Sequence, residues 1–291
     1  MLVASVLSLK GGVGKTTVTL GLASAAHHRG IDTLLIDLDP QMNATSTLTA
    51  RDDLVAVLDG TRPPGGHHAQ SAGDPDKDSH RPRVGSTTIT EVLDDPRRKV
   101  VARAVQPSGW GGSLRILPGS ETVEAHNHPD PDAKRLVRLT DALALVDPAP
   151  ELVLIDCPPS LGQLTRSGLV AADRAVLVTE PSLYSVTGVQ RALEAVQQER
   201  SGHNPRLQPL GVVINRFRPR VAEHEYRLQE LQDLFGPLVL SPVLADRSAV
   251  QQAQGAGMPI HGWPTPGARQ LAQQFDELLD RLLRSARRRS R

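Results

Sequence analysis

Residues 10–17 of this chain are Lys10-Gly11-Gly12-Val13-Gly14-Lys15-Thr16-Thr17. They follow a nearly continuous apolar run at residues 2–9 and lead into a stretch of helical character at residues 15–28. A short apolar run without polar alternation is typical of a parallel strand that is covered on both faces. The segment is therefore predicted to be a glycine-rich turn between a buried strand and a helix.

The chemistry expected of such a turn is phosphate binding. Glycines let successive backbone N–H groups turn inward around phosphate oxygens, and the N-terminus of the following helix attracts negative charge. Lys15 would contact the β- and γ-phosphates of a nucleotide, and the Thr16 hydroxyl would ligate Mg²⁺. The match to the G-x-x-x-x-G-K-[ST] pattern is loose, because Leu9 stands at the position of the leading glycine. A turn that only packs tightly is the alternative.

Lysine usage favours phosphate binding over that alternative. The lysines of the chain are Lys10, Lys15, Lys77, Lys99 and Lys134. Two of them fall within this one loop, although the chain otherwise relies on arginine for positive charge.

Further apolar runs of the same kind lie at residues 33–36, 152–155, 175–178 and 210–214. Helical stretches alternate with them, at residues 164–171, 186–198 and 226–235. This alternation predicts an α/β fold with a doubly wound, mostly parallel sheet flanked by helices. Ligands bind at the carboxyl ends of the strands in such a sheet, where the glycine-rich turn also lies.

Composition restricts the class of protein. The chain has 291 residues, of which 39% are apolar and 2% aromatic, and its formal net charge is +1. Its single cysteine, Cys157, excludes an intrachain disulfide framework or a cysteine-rich metal site within one chain, and is expected to be a small buried hydrophobe. Because no run has the length of a membrane span and no basic region precedes residues 2–9, a cytoplasmic protein is expected.

We expect one domain, residues 1–291, with two departures from its regular pattern. Residues 59–86 lack periodicity and carry few apolar side chains, which predicts a flexible insert. Residues 284–291 form a basic C-terminal tail that would attract phosphate-bearing polymers or anionic lipid.

Carboxylates follow two of the predicted strands. Asp37 and Asp39 come after the run at residues 33–36, and Asp156 comes after the run at residues 152–155. In an extended segment, residues two positions apart point the same way, here toward the edge with the glycine-rich turn. One carboxylate could orient an attacking water and another could support the Mg²⁺ shell. Acidic residues that only form turns or cap strands are the alternative.

Residues 10–17 match in full the KGGxGKT[TS] motif, and the chain resembles the deviant Walker A ATPases, the ParA/MinD family, over nearly its whole length except the insert. The resemblance implies a P-loop NTPase fold of the SIMIBI type, with ATP and Mg²⁺ as cofactors. It also implies an ATP-bound homodimer in which Lys10 reaches the phosphates held by the partner. The nucleotide-binding residues on this basis are Lys10, Gly11, Gly12, Val13, Gly14, Lys15, Thr16 and Thr17.

Two further segments resemble the switch regions of this family. Asp39-Pro40-Gln41 resembles switch I, which makes Asp39 the implied water-positioning residue and Asp37 a secondary partner. Met42 stands where many members of the family have glycine. Asp156-Cys157-Pro158-Pro159 resembles switch II, which implies a Mg²⁺-shell role for Asp156. The implied metal-site residues are Thr16, Asp39 and Asp156, and the implied catalytic residues are Lys10, Lys15 and Asp39.

The resemblance extends to the C-terminal third of the chain. Asn215 stands where members of the family recognise adenine, and turn formation is an equal alternative. ParA-type proteins carry DNA-contacting arginines at the position of Arg216 and at those of the three arginines named below. For each arginine an ordinary surface charge is the alternative. The predicted DNA-binding residues are Arg218, Arg220 and Arg247.

The function that the resemblance implies is that of a partition or positioning ATPase. An ATP-bound dimer would hold DNA nonspecifically through phosphate contacts, and a ParB-like centromere-binding adaptor would stimulate hydrolysis and release. The expected location is the cytoplasm, in association with the nucleoid. A nucleotide-binding scaffold with vestigial turnover is a simpler alternative.

A MinD-like, membrane-associated positioning ATPase is the main alternative. It depends on the last helical stretch, residues 271–283, in which apolar residues recur at helical spacing and lead into arginines. Acidic residues interrupt the polar face of this stretch. Packing on the sheet is therefore favoured, and no membrane contact is expected.

Overall fold

The computed structural model of the chain describes residues 1–49, 87–130 and 132–287. The predicted insert at residues 59–86 lies outside them, as do residues 288–291 of the predicted basic tail. The described residues form a seven-stranded sheet, whose strands are β1 (Leu2–Leu7), β2 (Thr33–Asp37), β3 (Gln106–Pro107), β4 (Leu114–Leu117), β5 (Leu152–Asp156), β6 (Arg174–Thr179) and β7 (Gln208–Ile214). The strand order is β3-β4-β2-β5-β1-β6-β7.

Helices lie between most of the strands. Three short 3₁₀ helices, Glu121–His126, Gly236–Leu238 and Ile260–Gly262, accompany the α-helices. The described α-helices are α1 (Lys15–His28), α2 (Asn43–Thr49), α3 (Ile89–Asp94), α4 (Arg98–Ala104), α5 (Ala133–Leu143), α6 (Gln163–Ala171), α7 (Ser185–Gly202), α8 (Ala222–Phe235), α9 (Ser248–Gly255) and α10 (Pro266–Arg287).

The sheet is parallel except for β3, which pairs antiparallel with β4 at one edge. Strand β1 lies between β5 and β6, so the turn that follows it starts near the middle of the sheet. In register, Asp156 at the end of β5 lies beside Val6 of β1 and Asp37 of β2. The carboxylate-bearing strand ends therefore meet at the edge where the glycine-rich turn begins.

Two hydrophobic cores cover the two faces of the sheet. Alternate residues of β1 face opposite ways: Ala4 and Val6 pack with α1, α9 and α10, whereas Val3 and Leu7 pack with α3 to α7. Because both faces are buried, the strands need apolar side chains at successive positions, which explains their nearly continuous apolar runs. The predicted doubly wound α/β fold is confirmed.

Helix α10 packs its apolar face onto α1. Phe275 is 1% exposed and lies so close to Gly21 that a Cβ there would come within 2.2 Å of the ring. At the helix edge, Arg29 pairs with Asp276 at 3.0 Å and with Asp280 at 2.5 Å. The expected core packing is confirmed, so the apolar face that the membrane hypothesis requires is inside the protein. The buried residues of this face are Leu271, Phe275, Leu278, Leu279 and Leu282.

The five strands expected from apolar runs are all present. Strands β3 and β4 were not predicted, because they are short and their residues show no clear period. The predicted tail begins inside α10, which continues to Arg287. Among the described helices, none has both the length and the apolar character needed to cross a bilayer.

Candidate functional site

The glycine-rich turn forms a concave loop at residues 8–14. Gly12 and Gly14 have positive φ angles of 79° and 87°, and Gly14 caps the N-terminus of α1. Left-handed glycines in such a turn direct successive N–H groups to one side, and α1 has no acidic residue in its first turn to oppose an anion. The two glycines therefore have the backbone conformation that the predicted phosphate loop requires.

A cavity of about 460 Å³ opens in front of this loop. Its size and its polar lining suit a nucleotide. Among the residues predicted for the nucleotide and the metal, Lys10, Val13, Asp156 and Asn215 do not line it directly. The predicted residues that line it are Gly11, Gly12, Gly14, Lys15, Thr16, Thr17 and Asp39.

Lys15 and Asp39 form an ion pair at the base of the cavity. Lys15 Nζ lies 3.3 Å from Asp39 Oδ2, and the two residues are 7% and 4% exposed. The other carboxylate oxygen, Asp39 Oδ1, accepts the Gln41 backbone N–H at 3.0 Å. These contacts fix Asp39 next to the lysine that a phosphate chain would approach, which is where a water-positioning carboxylate is needed.

Asp156 accepts hydrogen bonds from two hydroxyls of α1. Thr16 Oγ1 donates to Asp156 Oδ2 at 2.7 Å, and Thr19 Oγ1 donates to Asp156 Oδ1 at 2.9 Å. Burial raises the pKa of Asp156, whereas Lys15 and the two hydroxyls oppose that shift. A threonine hydroxyl next to a buried carboxylate is an oxygen donor set of the kind Mg²⁺ uses, so these residues fit that ion.

Asp37 does not share the cavity with Asp39, contrary to the expectation that the two carboxylates point the same way. Strand β2 ends at Asp37, so the alternation of an extended segment does not continue to residue 39. Asp37 is fully buried, and its Oδ2 accepts the N–H and hydroxyl of Thr45, both at 2.8 Å. Burial and the nearby Asp156 raise the pKa of Asp37 to about 7. Its role is to hold the start of α2 against the strand end.

Lys10 lies at the rim rather than in the cavity. Its ammonium contacts Glu180 Oε1 at 2.5 Å and Ser182 Oγ at 3.4 Å, just after β6. The lysine side chain is 43% exposed. It is thus accessible at the edge of the molecule that carries the phosphate loop.

Asn215 contacts the backbone of the loop. Its amide Nδ2 donates to the Val13 carbonyl at 2.8 Å, and a Cβ added at Gly14 would come within 2.2 Å of this nitrogen. The guanidinium of the next residue, Arg216, donates to the Gly12 carbonyl. Arg216 also lines the cavity. This position differs from the DNA-contacting surface on which the sequence resemblance placed it.

The three predicted DNA-binding arginines are exposed on neighbouring segments. Phe217 N donates to the Leu244 carbonyl at 2.9 Å, which joins the segment after β7 to the segment before α9. Arg218 pairs with Asp246 at 2.6 Å, and Arg247 donates to Gln270 Oε1 at 2.8 Å. Arg220 is exposed on the same loop as Arg218.

Sequence reasoning missed the residues that close the cavity on its other sides. Gln254 of α9 donates to Thr17 Oγ1 at 3.4 Å, although no local pattern marks it. Cys157 is fully buried beside the site and burial raises the pKa of its thiol to about 12, which confirms that it is a buried hydrophobe. The cavity-lining residues that were not predicted are Leu20, Gln41, Asn43, Ser46, Thr47, Pro159, Arg216, Gln254 and Gly255.

Similarity to known proteins was found for both sequence and structure. A family model described as an AAA domain matches residues 1–209, well over half of the chain. The chromosome-partitioning ATPase Soj of Thermus thermophilus is 29% identical over 275 residues, which span 94% of this chain and 93% of Soj.

Two solved structures share the fold. Cobyrinic acid a,c-diamide synthase from Mycobacterium smegmatis, with bound ADP and magnesium, has a TM-score of 0.72 at 26% identity and covers 99% of this chain and 96% of its own. A plasmid partition protein from Borrelia burgdorferi has a TM-score of 0.68 at 17% identity, with 96% and 98% covered. The matched family model, the similarity to Soj and the cavity in front of the phosphate loop all agree with one assignment. The chain belongs to the ParA/MinD family of P-loop ATPases.

Proposed function

We propose that this chain is a partition or positioning ATPase that binds MgATP as a sandwich dimer, holds DNA nonspecifically in that state and is reset by hydrolysis. A ParB-like adaptor stimulates the hydrolysis. The observation that carries the proposal is the cavity that joins the phosphate loop, Lys15, Thr16 and Asp39 in one place. Relatives named as chromosome-partitioning proteins support the biological role.

The side chains of the cavity account for ATP hydrolysis. Lys15 exchanges Asp39 for the β- and γ-phosphates, and the loop N–H groups stabilise the charge that develops on the phosphate oxygens. Asp39, freed from Lys15, orients a water for in-line attack on the γ-phosphorus. Thr16 and Asp156 are the residues that would hold Mg²⁺, which when bound would neutralise phosphate charge.

Lys10 supports the dimeric part of the proposal. Its position at the exposed rim allows it to exchange Glu180 for the phosphates bound by a partner subunit. Leu183 and Tyr184 follow at the same edge, are 60% and 70% exposed, and place two adjacent large side chains on this surface. A second copy that covers this edge would bury them.

The exposed arginines after β7 and before α9 support DNA binding. Contacts from Arg218, Arg220 and Arg247 to phosphates need no base recognition and give an affinity that falls steeply with salt. Arg218 must release Asp246 to contribute, since the two form an ion pair.

The experiment is retardation of a DNA duplex of arbitrary sequence by the full-length protein, with ATP and magnesium, over a salt series. We expect binding at low salt that disappears as salt rises. Asp39→Ala should bind ATP and keep DNA bound while its turnover falls by about 100-fold or more. Lys15→Ala should give no ATP-dependent retardation, and Lys99→Ala, an exposed lysine on α4, serves as the control.

The same preparation distinguishes the other functions. If DNA is not retarded at low salt while vesicles of anionic lipid sediment the protein with ATP, the membrane-associated function replaces the partition function. If neither DNA nor vesicles bind and turnover is absent, the chain is a nucleotide-binding scaffold.

A further inference from the structure

Two consecutive residues after β7 contact two consecutive carbonyls of the phosphate loop. Asn215 donates to the Val13 carbonyl at 2.8 Å, and Arg216 donates to the Gly12 carbonyl. Asn215 is buried, whereas Arg216 is exposed and lines the cavity in front of the loop.

The physical need for such donors follows from the loop itself. When N–H groups of a turn converge on a phosphate, the carbonyls between them point the other way. An exposed carbonyl that loses its protein partner can turn to another partner by a backbone peptide flip, which also removes the neighbouring N–H from the phosphate site. Donors that hold these carbonyls in place therefore stabilise the phosphate-binding arrangement of the loop.

The backbone of Arg216 is adapted to this contact. Its φ angle is +55°, a left-handed conformation that non-glycine residues rarely adopt. Such a conformation persists where surrounding contacts determine it, and it occurs frequently at ligand sites. Here the flanking contacts are those of Asn215 with Val13 and of Phe217 with Leu244. They turn the Arg216 side chain back to the phosphate loop, whereas Arg218 pairs with Asp246 on the outer surface.

We propose that Arg216 is a positioning residue of the nucleotide site, which holds the Gly12 carbonyl outward so that the loop N–H groups face the phosphates. The proposal rests on the nucleotide binding proposed above. It separates Arg216 from Arg218, Arg220 and Arg247, with which it would be grouped on sequence alone.

The test compares Arg216→Ala with Arg206→Ala in the full-length protein. Arg206 is also exposed and lies just before β7, at the opposite end of the same strand, which makes it a matched control. We expect Arg216→Ala to weaken binding of AMPPNP with magnesium by about fivefold to tenfold, because one charged hydrogen bond to the loop is lost. The KM for ATP should rise by a similar factor, while kcat at saturating ATP stays within about twofold of the wild type. Arg206→Ala should bind as the wild type does.

Arg216→Lys keeps a donor and should restore at least half of the lost binding free energy. The proposal is overturned if Arg216→Ala binds AMPPNP as tightly as Arg206→Ala, or if it loses DNA retardation at saturating nucleotide while its nucleotide affinity is unchanged. The latter result would place Arg216 on the DNA surface. Failure of the wild-type protein to bind AMPPNP would instead contradict the proposed function as a whole, so the two failures are distinguishable.

Discussion

The connection after β1 and the connection after β7 meet at the same edge of the sheet but are built differently. In residues 8–14 the shape comes from glycine, with positive φ angles at Gly12 and Gly14. Residues 215–220 contain no glycine, and their shape depends on contacts with residues far away in sequence. Asn215 and Arg216 reach carbonyls 202 and 204 positions earlier in the chain.

The difference teaches why one connection is easy to interpret and the other is not. The glycines of such a turn show directly where the backbone can adopt positive φ angles. The chemistry of the turn can therefore be predicted from its local sequence. The second connection has an asparagine and several arginines, which are compatible with a turn, a base contact, a surface charge or a contact to the loop. Only the packing of β7 against β6, which in turn pairs with β1, selects the contact to the loop.

The largest effect is expected at Lys15, in the first connection. Lys15→Ala removes the buried ammonium that faces the phosphates and leaves Asp39 buried beside the cavity without it. We expect affinity for ATP with magnesium to fall by at least about 100-fold, measured by isothermal titration calorimetry. Lys99→Ala is the control, and unchanged affinity in Lys15→Ala would contradict the site assignment.

A second prediction concerns the point where the two connections touch. At Gly11 a Cβ meets nothing within 4 Å; at Gly12 it meets nothing but φ is positive; at Gly14 φ is positive and the Cβ would overlap Asn215. The free energy of unfolding should therefore stay the same or rise by about 0.5 kcal/mol for Gly11→Ala, fall by about 1 kcal/mol for Gly12→Ala and fall by about 2–3 kcal/mol for Gly14→Ala. Chemical denaturation measures the series, and equal losses at Gly12 and Gly14 would contradict the Asn215 contact.

The third prediction separates function from stability in the second connection. Asn215→Ala removes the donor to Val13 and should weaken ATP binding by about fivefold to tenfold. Asn204 is the matched comparison, because it is also buried but donates to the carbonyls of Leu169 and Ala172. Asn204→Ala should destabilise the fold by about 2 kcal/mol without a change in nucleotide affinity per folded molecule. Similar affinity in both variants would mean that Asn215 acts only through the fold.

The smallest effect is expected at Met42. Met42 and Arg216 are the two non-glycine residues with positive φ in the described parts of the chain, and the φ angle of Met42 is 53°. Because glycine adopts this conformation without strain, Met42→Gly should raise the free energy of unfolding by about 0.5 kcal/mol. Thermal unfolding measures it, and a loss of stability would show that the Met42 side chain outweighs the strain.

Much of the site could be predicted because its chemistry depends on residues that lie close together in a few short segments of sequence. Most of residues 10–17 line the cavity together with Asp39, whereas Lys10 and Val13 do not, and Asp156 contacts the lining residue Thr16. The pairing of Asp37 with Asp39 was wrong, because the end of β2 changes the direction of the side chains. Gln254 could not have been found, since α9 reaches Thr17 only through the packing of the C-terminal elements on α1.

The amino-acid sequence by itself determined the buried parallel strands, the phosphate loop between β1 and α1 and the acidic residues at the ends of β2 and β5. These features depend on side-chain period and backbone freedom over a few neighbouring residues. The tertiary structure alone decided that Lys10 pairs with Glu180 and that α10 buries its apolar face. It also decided that Asn215 and Arg216 donate hydrogen bonds to the phosphate loop. Such contacts join residues distant in sequence, and the choice among polar partners is made by which elements pack side by side.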